Sequence, residues 1–296
     1  MTIDDCQRDV LLAPYTTYKI GGPADYFYVA TSQAELVAAM EMARAQELPY
    51  LLLGLGANVL VADKGFRGLV IVNQADDIQF DGDSITAESG ATVAELIRQA
   101  QAKGLSGLEH FAGIPSTVGG ALWQNLHFLS PDRSRTVYIA EVLTAAEVLD
   151  GEVKRVGLDF FQFGYDESIL RTDPSLIALS ATFQLTQEDP AVIAKRIAAN
   201  LKWRAERQPN VVDFPSCGSV FKKIEGVGAG RLIEQVGLKG RRWGGAQISE
   251  QHANFIVNRG GAKAADILAL LGLAQDEVRR QTGYELEPEI NLVGQF

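Results

Sequence analysis

Cysteine, histidine and basic charge are all scarce in this 296-residue chain, and each shortage excludes a class of protein. Two cysteines, Cys6 and Cys217, and three histidines form neither a disulfide framework nor a metal-type spacing. A reducing compartment, the cytoplasm, is therefore the economical expectation, and no metal is expected. Lys and Arg number 27 against 37 Asp and Glu, a formal charge of −10. Such a chain lacks the broad basic face needed to neutralise nucleic-acid phosphates. Long apolar runs are missing as well. The most apolar stretch, residues 50–62, is interrupted by Gly54, Gly56 and Asn58, and the N-terminal MTIDDCQRDV lacks a basic start and an apolar segment. Neither a membrane association nor a targeting leader is expected. There is no internal repeat and no low-complexity tract.

What remains is ordinary globular composition, 47% hydrophobic and 22% charged, in a chain long enough for two or three modules. Residues 26–30 read as a strand, 32–46 as an amphipathic helix capped by Ser32, and 51–53 as a buried strand. Further strands occupy 59–62 and 68–73, a βαββ start. Residues 84–88 are strand-like, 92–102 helical, and 137–156 a hairpin turning at Asp150-Gly151. Asp189-Pro190 marks a break before a cation-bearing helix at 191–207. A last helix, 262–281, carries Ile267, Leu268, Leu271 and Val278 on one face. The class is α+β, with module boundaries at 1–73, 74–186 and 187–296.

Charge is unevenly spread. Residues 195–242 hold eleven Lys/Arg against four Asp/Glu, a local balance of +7 that leaves about −17 elsewhere. An anionic small molecule is thus drawn to one region of a repellent surface. The segment 215–258 combines PSCGSVFKK, GAGRLIEQVGLKGRRWGG and AQISEQHANFIVN. Three glycine clusters precede it: TTYKIGGPADYF at 16–27, LLLGLGANVLV at 51–61 and GIPSTVGGALWQN at 113–125. Glycines there let backbone N–H groups approach a phosphate, and Ser116 is placed to cap the segment after it. Taken singly, each cluster admits a plainer reading as a tight turn or helix packing, and none has dinucleotide-fingerprint spacing. Ser219 alone reads equally as a turn hydroxyl, Glu289 as a salt-bridge partner and Lys195, Arg196 and Lys202 as a solvated helix face. His252 reads as a structural histidine, and Trp123, Trp203 and Trp243 as packing residues.

In this order, and with LEPEI after them, these motifs resemble the UDP-N-acetylenolpyruvoylglucosamine reductases, from about Tyr15 to Ile290. The resemblance implies a two-part FAD-binding module of the vanillyl-alcohol-oxidase type and a C-terminal α+β substrate-binding domain. It also implies reduction of the enolpyruvyl UDP-sugar by NADPH through FAD, in peptidoglycan precursor synthesis. No long insertion lies between Arg171 and Lys195, which looks like the shorter, type II form. Carried over residue by residue, flavin contacts fall on Ile20, Gly21, Gly54, Gly56, Ala57, Asn58, Val59, Leu60, Gly113, Ile114, Thr117 and Gly119. The proton donor matches Ser219 and the catalytic glutamate Glu289. Substrate contacts match Lys222, Lys223, Gln247 and Asn254, with Lys222 placed to bear an alkoxide. An ionised Glu289 would repel a substrate carboxylate, so burial is expected to keep it protonated. A monomer is the default expectation.

Two departures stand out. Where the family has an arginine after the tyrosine of its Phe-Gly-Tyr-Arg motif, this chain has Asp166 in FGYDESIL, and Arg171 is the substitute within reach. The family's small Asn-Ala-Gly-Ala loop is replaced by NLHFLSPDRSR, in which Arg133 and Arg135 offer charge, and FKKIEG lacks the proline common after this motif. Asp166 keeps two alternatives open: a flavoprotein of the same fold acting on another substrate, and a binding protein without turnover.

Overall fold

The computed structural model describes residues 1–130, 132–224 and 226–296. In the first module Pro23–Ala30, Phe66–Asn73 and Tyr50–Leu53 pair in parallel, in that order, and Gln7–Leu11 adds an antiparallel edge. Leu69, Val70, Ile71 and Val72 are buried in succession, as a parallel strand covered on both faces requires. The crossover helix Gln33–Ala45 buries Leu36, Ala39, Met40 and Ala43, and the Ser32 hydroxyl accepts the Glu35 N–H at 3.2 Å. Gln7–Leu11 was not expected from the sequence. Its first three residues are polar, and all but Val10 are exposed, so it carries no burial pattern to read.

The second module is a five-stranded antiparallel sheet in the order Glu152–Val156, Leu143–Asp150, Ile177–Gln184, Ser84–Glu88 and Ile78–Asp81. Helices Val93–Ala102 and Val118–Trp123 cover it and share one apolar core with Phe111, Phe161 and Phe183. The hairpin turns at Gly151, with φ at 70°, as expected. Its first strand begins at Leu143 and not at 137. Thr136–Tyr138 pairs instead with His127–Leu129, and a 3-10 turn at Ile139–Glu141 separates the two.

Helix Pro190–Arg207, grouped with the third module on sequence, packs on the second. Arg196 Nη1 lies 3.1 Å from the buried Glu109 carboxylate, and Asn200 Nδ2 donates to the Glu109 carbonyl at 3.0 Å. The third module lays helix Ala264–Thr282 over a small antiparallel sheet of Arg242–Trp243, Ala246–Ile248 and Ile256–Asn258. Ile267, Leu271 and Val278 are buried with Leu270 and Ala274. Several ties bind this module to the first, among them a hydrogen bond from Asn258 Nδ2 to the Tyr18 carbonyl at 3.0 Å. Asp63 caps the helix, accepting the Ala264 N–H at 2.8 Å and the Ala265 N–H at 3.2 Å. The strand Asn291–Val293 returns to run parallel to Val59–Val61.

Candidate active site

A cavity of about 770 Å³ opens where the modules meet. Part of its wall is the turn that ends the strand Tyr50–Leu53. A side chain on Gly54 would meet Thr117 Oγ1 at 2.5 Å, and one on Gly56, whose φ is 60°, would meet the Tyr15 carbonyl at 2.4 Å. Only glycine lets the turn lie so close to both neighbours. Among the described residues, the N–H groups of Gly56, Ala57 and Asn58 form no hydrogen bond. Gly54, Gly56, Ala57, Asn58 and Val59 all line the cavity, as do Ile114, Thr117 and Gly119 from the second glycine cluster. The helix cap in that cluster is Thr117, whose hydroxyl accepts the Gly120 N–H at 3.2 Å. Ser116, expected to cap, donates its hydroxyl to the Thr117 carbonyl instead.

The opposite wall comes from the third module. Residues 220–222 and 287–289 run antiparallel: the Glu289 N–H donates to the Val220 carbonyl, the Lys222 N–H to the Glu287 carbonyl, each at 2.9 Å. Ser219, just before the first of these segments, and Glu289, at the end of the second, both line the cavity. Asn254 fastens the first of these segments, accepting the Phe221 N–H at 3.1 Å and donating to the Phe221 carbonyl at 2.9 Å.

Between the walls lies Gln124. Its Nε2 donates to Asp166 Oδ1 at 3.0 Å and to Glu289 Oε1 at 3.3 Å, while its Oε1 accepts from Asn58 Nδ2 at 3.1 Å. Burial, with the Asp166 charge adding to it, pushes the Glu289 carboxyl up to about 8, against the opposing pull of Arg171 and Lys222. Asp166 is 1% exposed, and its Oδ2 has no hydrogen-bond partner. Its φ is 56°, a left-handed conformation uncommon outside glycine and most tolerable for Asp and Asn. Arg171 Nη1 supports that conformation by donating to the Asp166 carbonyl at 2.6 Å, with its guanidinium 5.0 Å from the Trp123 ring centre. His127 sits between Tyr138 and Tyr165, its Nδ1 3.7 Å from Asp166 Oδ1, beyond hydrogen-bonding distance. Burial pushes the Cys217 thiol, on the same lining, up to about 12, so it is no nucleophile at neutral pH.

Seven of the residues expected at the site do not line the cavity. Ile20 and Leu60 are buried in the core of the third module, and Gly21 packs on Val61 and Leu12. Gly113 gives close approach to helix Pro190–Arg207, since a side chain there would meet Leu201 at 2.9 Å. Lys222 is ion-paired with Glu287. Gln247 is 4% exposed, donates to the Gly240 carbonyl and Glu250, and lines a separate small pocket. Both polar groups of Asn254 are taken up by Phe221. Ser219, Glu289, Arg171 and Lys223 are at the cavity. Trp243, read as packing, is 52% exposed, whereas Trp123 and Trp203 lie beneath arginines.

Gln124, Tyr165, His127 and Arg204 line the site without having been read as site residues. Arg204 lies 5.0 Å from the Phe128 ring centre, burial lowers its guanidinium to about 10, and no carboxylate pairs with it among the described residues. Its only sequence signal was membership of the basic segment. Unpaired N–H donors, an unpaired half-buried cation and a largely apolar cavity between two glycine-bearing loops fit an elongated, phosphate-bearing ligand such as FAD.

A family model for an FAD binding domain matches residues 24–157, and one for the UDP-N-acetylenolpyruvoylglucosamine reductase C-terminal domain matches residues 208–293. The UDP-N-acetylenolpyruvoylglucosamine reductase of Geobacter metallireducens is 41% identical over 290 residues, 97% of this chain and 94% of that protein. That of Rubrobacter xylanophilus is 40% identical over 289 residues, 97% and 95% of the two chains. The crystal structure of UDP-N-acetylenolpyruvylglucosamine reductase from Thermus caldophilus matches with a TM-score of 0.80 at 34% identity, covering 98% of this chain and 99% of that one.

Proposed function

The chain belongs to the UDP-N-acetylenolpyruvoylglucosamine reductase family, and from that premise we propose that Ser219 and Glu289 carry the proton chemistry of an NADPH-consuming reduction. The reaction converts the enolpyruvyl ether of UDP-N-acetylglucosamine to UDP-N-acetylmuramate, a step of peptidoglycan precursor synthesis. The observation that supports the assignment of roles is that Ser219 and Glu289 line one cavity, on segments tied to each other by the antiparallel pairing of residues 220–222 with 287–289.

Bound at this cavity, FAD would supply the hydride chemistry of the reduction, with NADPH as the reductant and the vinyl carbon as the acceptor. The free N–H groups of Gly56, Ala57 and Asn58 would hold the cofactor's phosphates, and Arg204, on the same lining, would supply a cation for a phosphate. Ser219 gives its proton to the carbon bearing the carboxylate. An alcohol is a weak acid, but that centre becomes carbanion-like and is a strong enough base to take the proton. Glu289, held protonated, donates a hydrogen bond to the substrate carboxylate as charge gathers on it, and Arg171 faces the same cavity as a cation. Lys222, engaged by Glu287, leaves Lys223 as the lysine on this lining. We place the step in the cytoplasm, with the UDP-sugar and NADPH as its small-molecule partners.

The test is NADPH oxidation that depends on the enolpyruvyl UDP-sugar. Ser219→Ala should lower kcat by roughly a hundredfold or more while flavin content stays unchanged. Unaltered turnover in that variant would remove Ser219 from the mechanism. Full flavin with tight UDP-sugar binding and no turnover in the unmodified protein would favour a binding role, the outcome that Asp166 raises.

A further inference from the structure

Asp166 presents an anomaly that the chemistry above does not use. It is a carboxylate at 1% exposure, with one oxygen bonded to Gln124 and the other bonded to nothing. Buried polar atoms without partners are few in folded proteins, and an unpartnered carboxylate oxygen is costly. The Arg171 guanidinium does not neutralise it by a side-chain pair, because its hydrogen bond goes to the Asp166 carbonyl. The local backbone is also held at a positive φ of 56°. Two unfavourable features at one residue on the lining of the cavity call for a function.

Gln124 supplies the link. An amide NH₂ has two hydrogens, and here each has a carboxyl oxygen to receive it, one on Asp166 and one on Glu289. The amide cannot turn over at no cost, because its oxygen already accepts from Asn58 Nδ2. Two carboxyls so linked and largely withdrawn from solvent do not both ionise readily, since like charges at short range oppose each other. The groups around Glu289 are Asp166, Arg171, Lys222, Tyr165 and Cys217. Of these, Arg171 and Lys222 favour its ionised form. Cys217 and Tyr165 are pushed well up, chiefly by burial, and stay neutral. His127 faces Asp166 from the other side. Asp166 is thus the carboxyl joined to Glu289 through a single amide.

We propose that Asp166 is a positioning residue, the fixed anion of an acid pair bridged by Gln124, whose single proton resides on Glu289. This rests on the reading of Glu289 as the group that must be protonated when the substrate carboxylate arrives. The pair then enters catalysis already charged with its proton, and the sharing is set by Asp166 instead of by burial alone.

Asp166→Asn tests it. The new side-chain oxygen still accepts from Gln124 while the charge is gone. The titration of Glu289 is tracked in the flavin-loaded protein by the infrared band of its protonated carboxyl, assigned with Glu289→Gln, without reference to turnover. The expected result is a midpoint at least about one pH unit lower, a tenfold change in the acid constant, with flavin content unchanged. Asp166→Glu keeps the charge and should keep the midpoint high, which guards against misfolding of the first variant. An unmoved midpoint in Asp166→Asn, or an equal fall in Asp166→Glu, overturns the proposal. If the midpoint falls as expected while kcat/KM against pH does not move with it, the coupling holds and the reading of Glu289 as a required acid fails.

Discussion

At the scale of the residue, Glu289 makes the sharpest demand on experiment. Its carboxyl is pushed up to about 8 by burial first and the Asp166 charge second. If the protonated form is the working one, kcat/KM falls as pH rises through about 8. Glu289→Gln keeps a hydrogen-bond donor but cannot ionise, so its profile should lose that alkaline fall at a cost of roughly tenfold in rate. The same group governs stability. An acid raised from 4.5 in the unfolded chain to about 8 in the folded one binds its proton more tightly when folded. Its contribution is full below 4.5 and is lost as pH climbs through about 8. Melting temperatures of the flavin-free protein measured from acid to alkaline pH should fall across that window, and fall less in Glu289→Gln. The burial of Glu289 was legible in LEPEI once a substrate carboxylate was expected beside it. Gln124 was not legible, because a lone glutamine closing a six-residue apolar helix looks like any polar end of a packed segment.

At the scale of the element, what the chain revealed depended on whether the stabilising partner was near in sequence. The helix Gln33–Ala45 was readable because Ser32 and the spacing of Leu36, Ala39, Met40 and Ala43 are local. The start of helix Ala264–Thr282 was not, because Asp63, the residue that satisfies its first N–H groups, lies 201 positions from Ala264. Removing that carboxylate in Asp63→Ala should cost about 1 kcal/mol, on the scale of an ordinary helix cap. Thermal or denaturant unfolding of the purified protein would read it, and an unchanged midpoint would show that Asp266, which also bonds the Lys263 N–H, suffices. The helix Pro190–Arg207 teaches the converse. Its length and the Asp189-Pro190 break before it were plain from sequence, but its docking onto Glu109 depends on a half-buried ion pair and an asparagine that no periodicity announces.

At the scale of the whole molecule, sequence resemblance carried the architecture and left the joints to be found. The three glycine clusters were visible, but their convergence was not: Gly21 packs into a strand contact, while Gly54 and Thr117 meet across two modules. The C-terminal strand is such a joint. Asn291 donates its N–H and its Nδ2 to the Asn58 carbonyl, each at 3.0 Å, and the Ala62 N–H donates to the Val293 carbonyl at 2.8 Å. Truncation after Ile290 should therefore cost roughly 2 kcal/mol or more and reduce flavin retention, because Asn58 stands in the turn that borders the cavity. Absorbance of the purified protein at flavin wavelengths checks this, and full retention would show that the turn holds its shape unaided.

That returning strand also limits how the protein breathes. A lobe joined by one tether swings like a door, whereas the third module is stitched to the first twice over, through the Asp63 cap of helix Ala264–Thr282 and through the ladder to Val59–Val61. Wide pivoting is thereby denied. Traffic of nicotinamide and nucleotide-sugar past one another must then be accommodated by side chains and loops at the rim, and slow exchange, more than lobe opening, is the kinetic signature to seek.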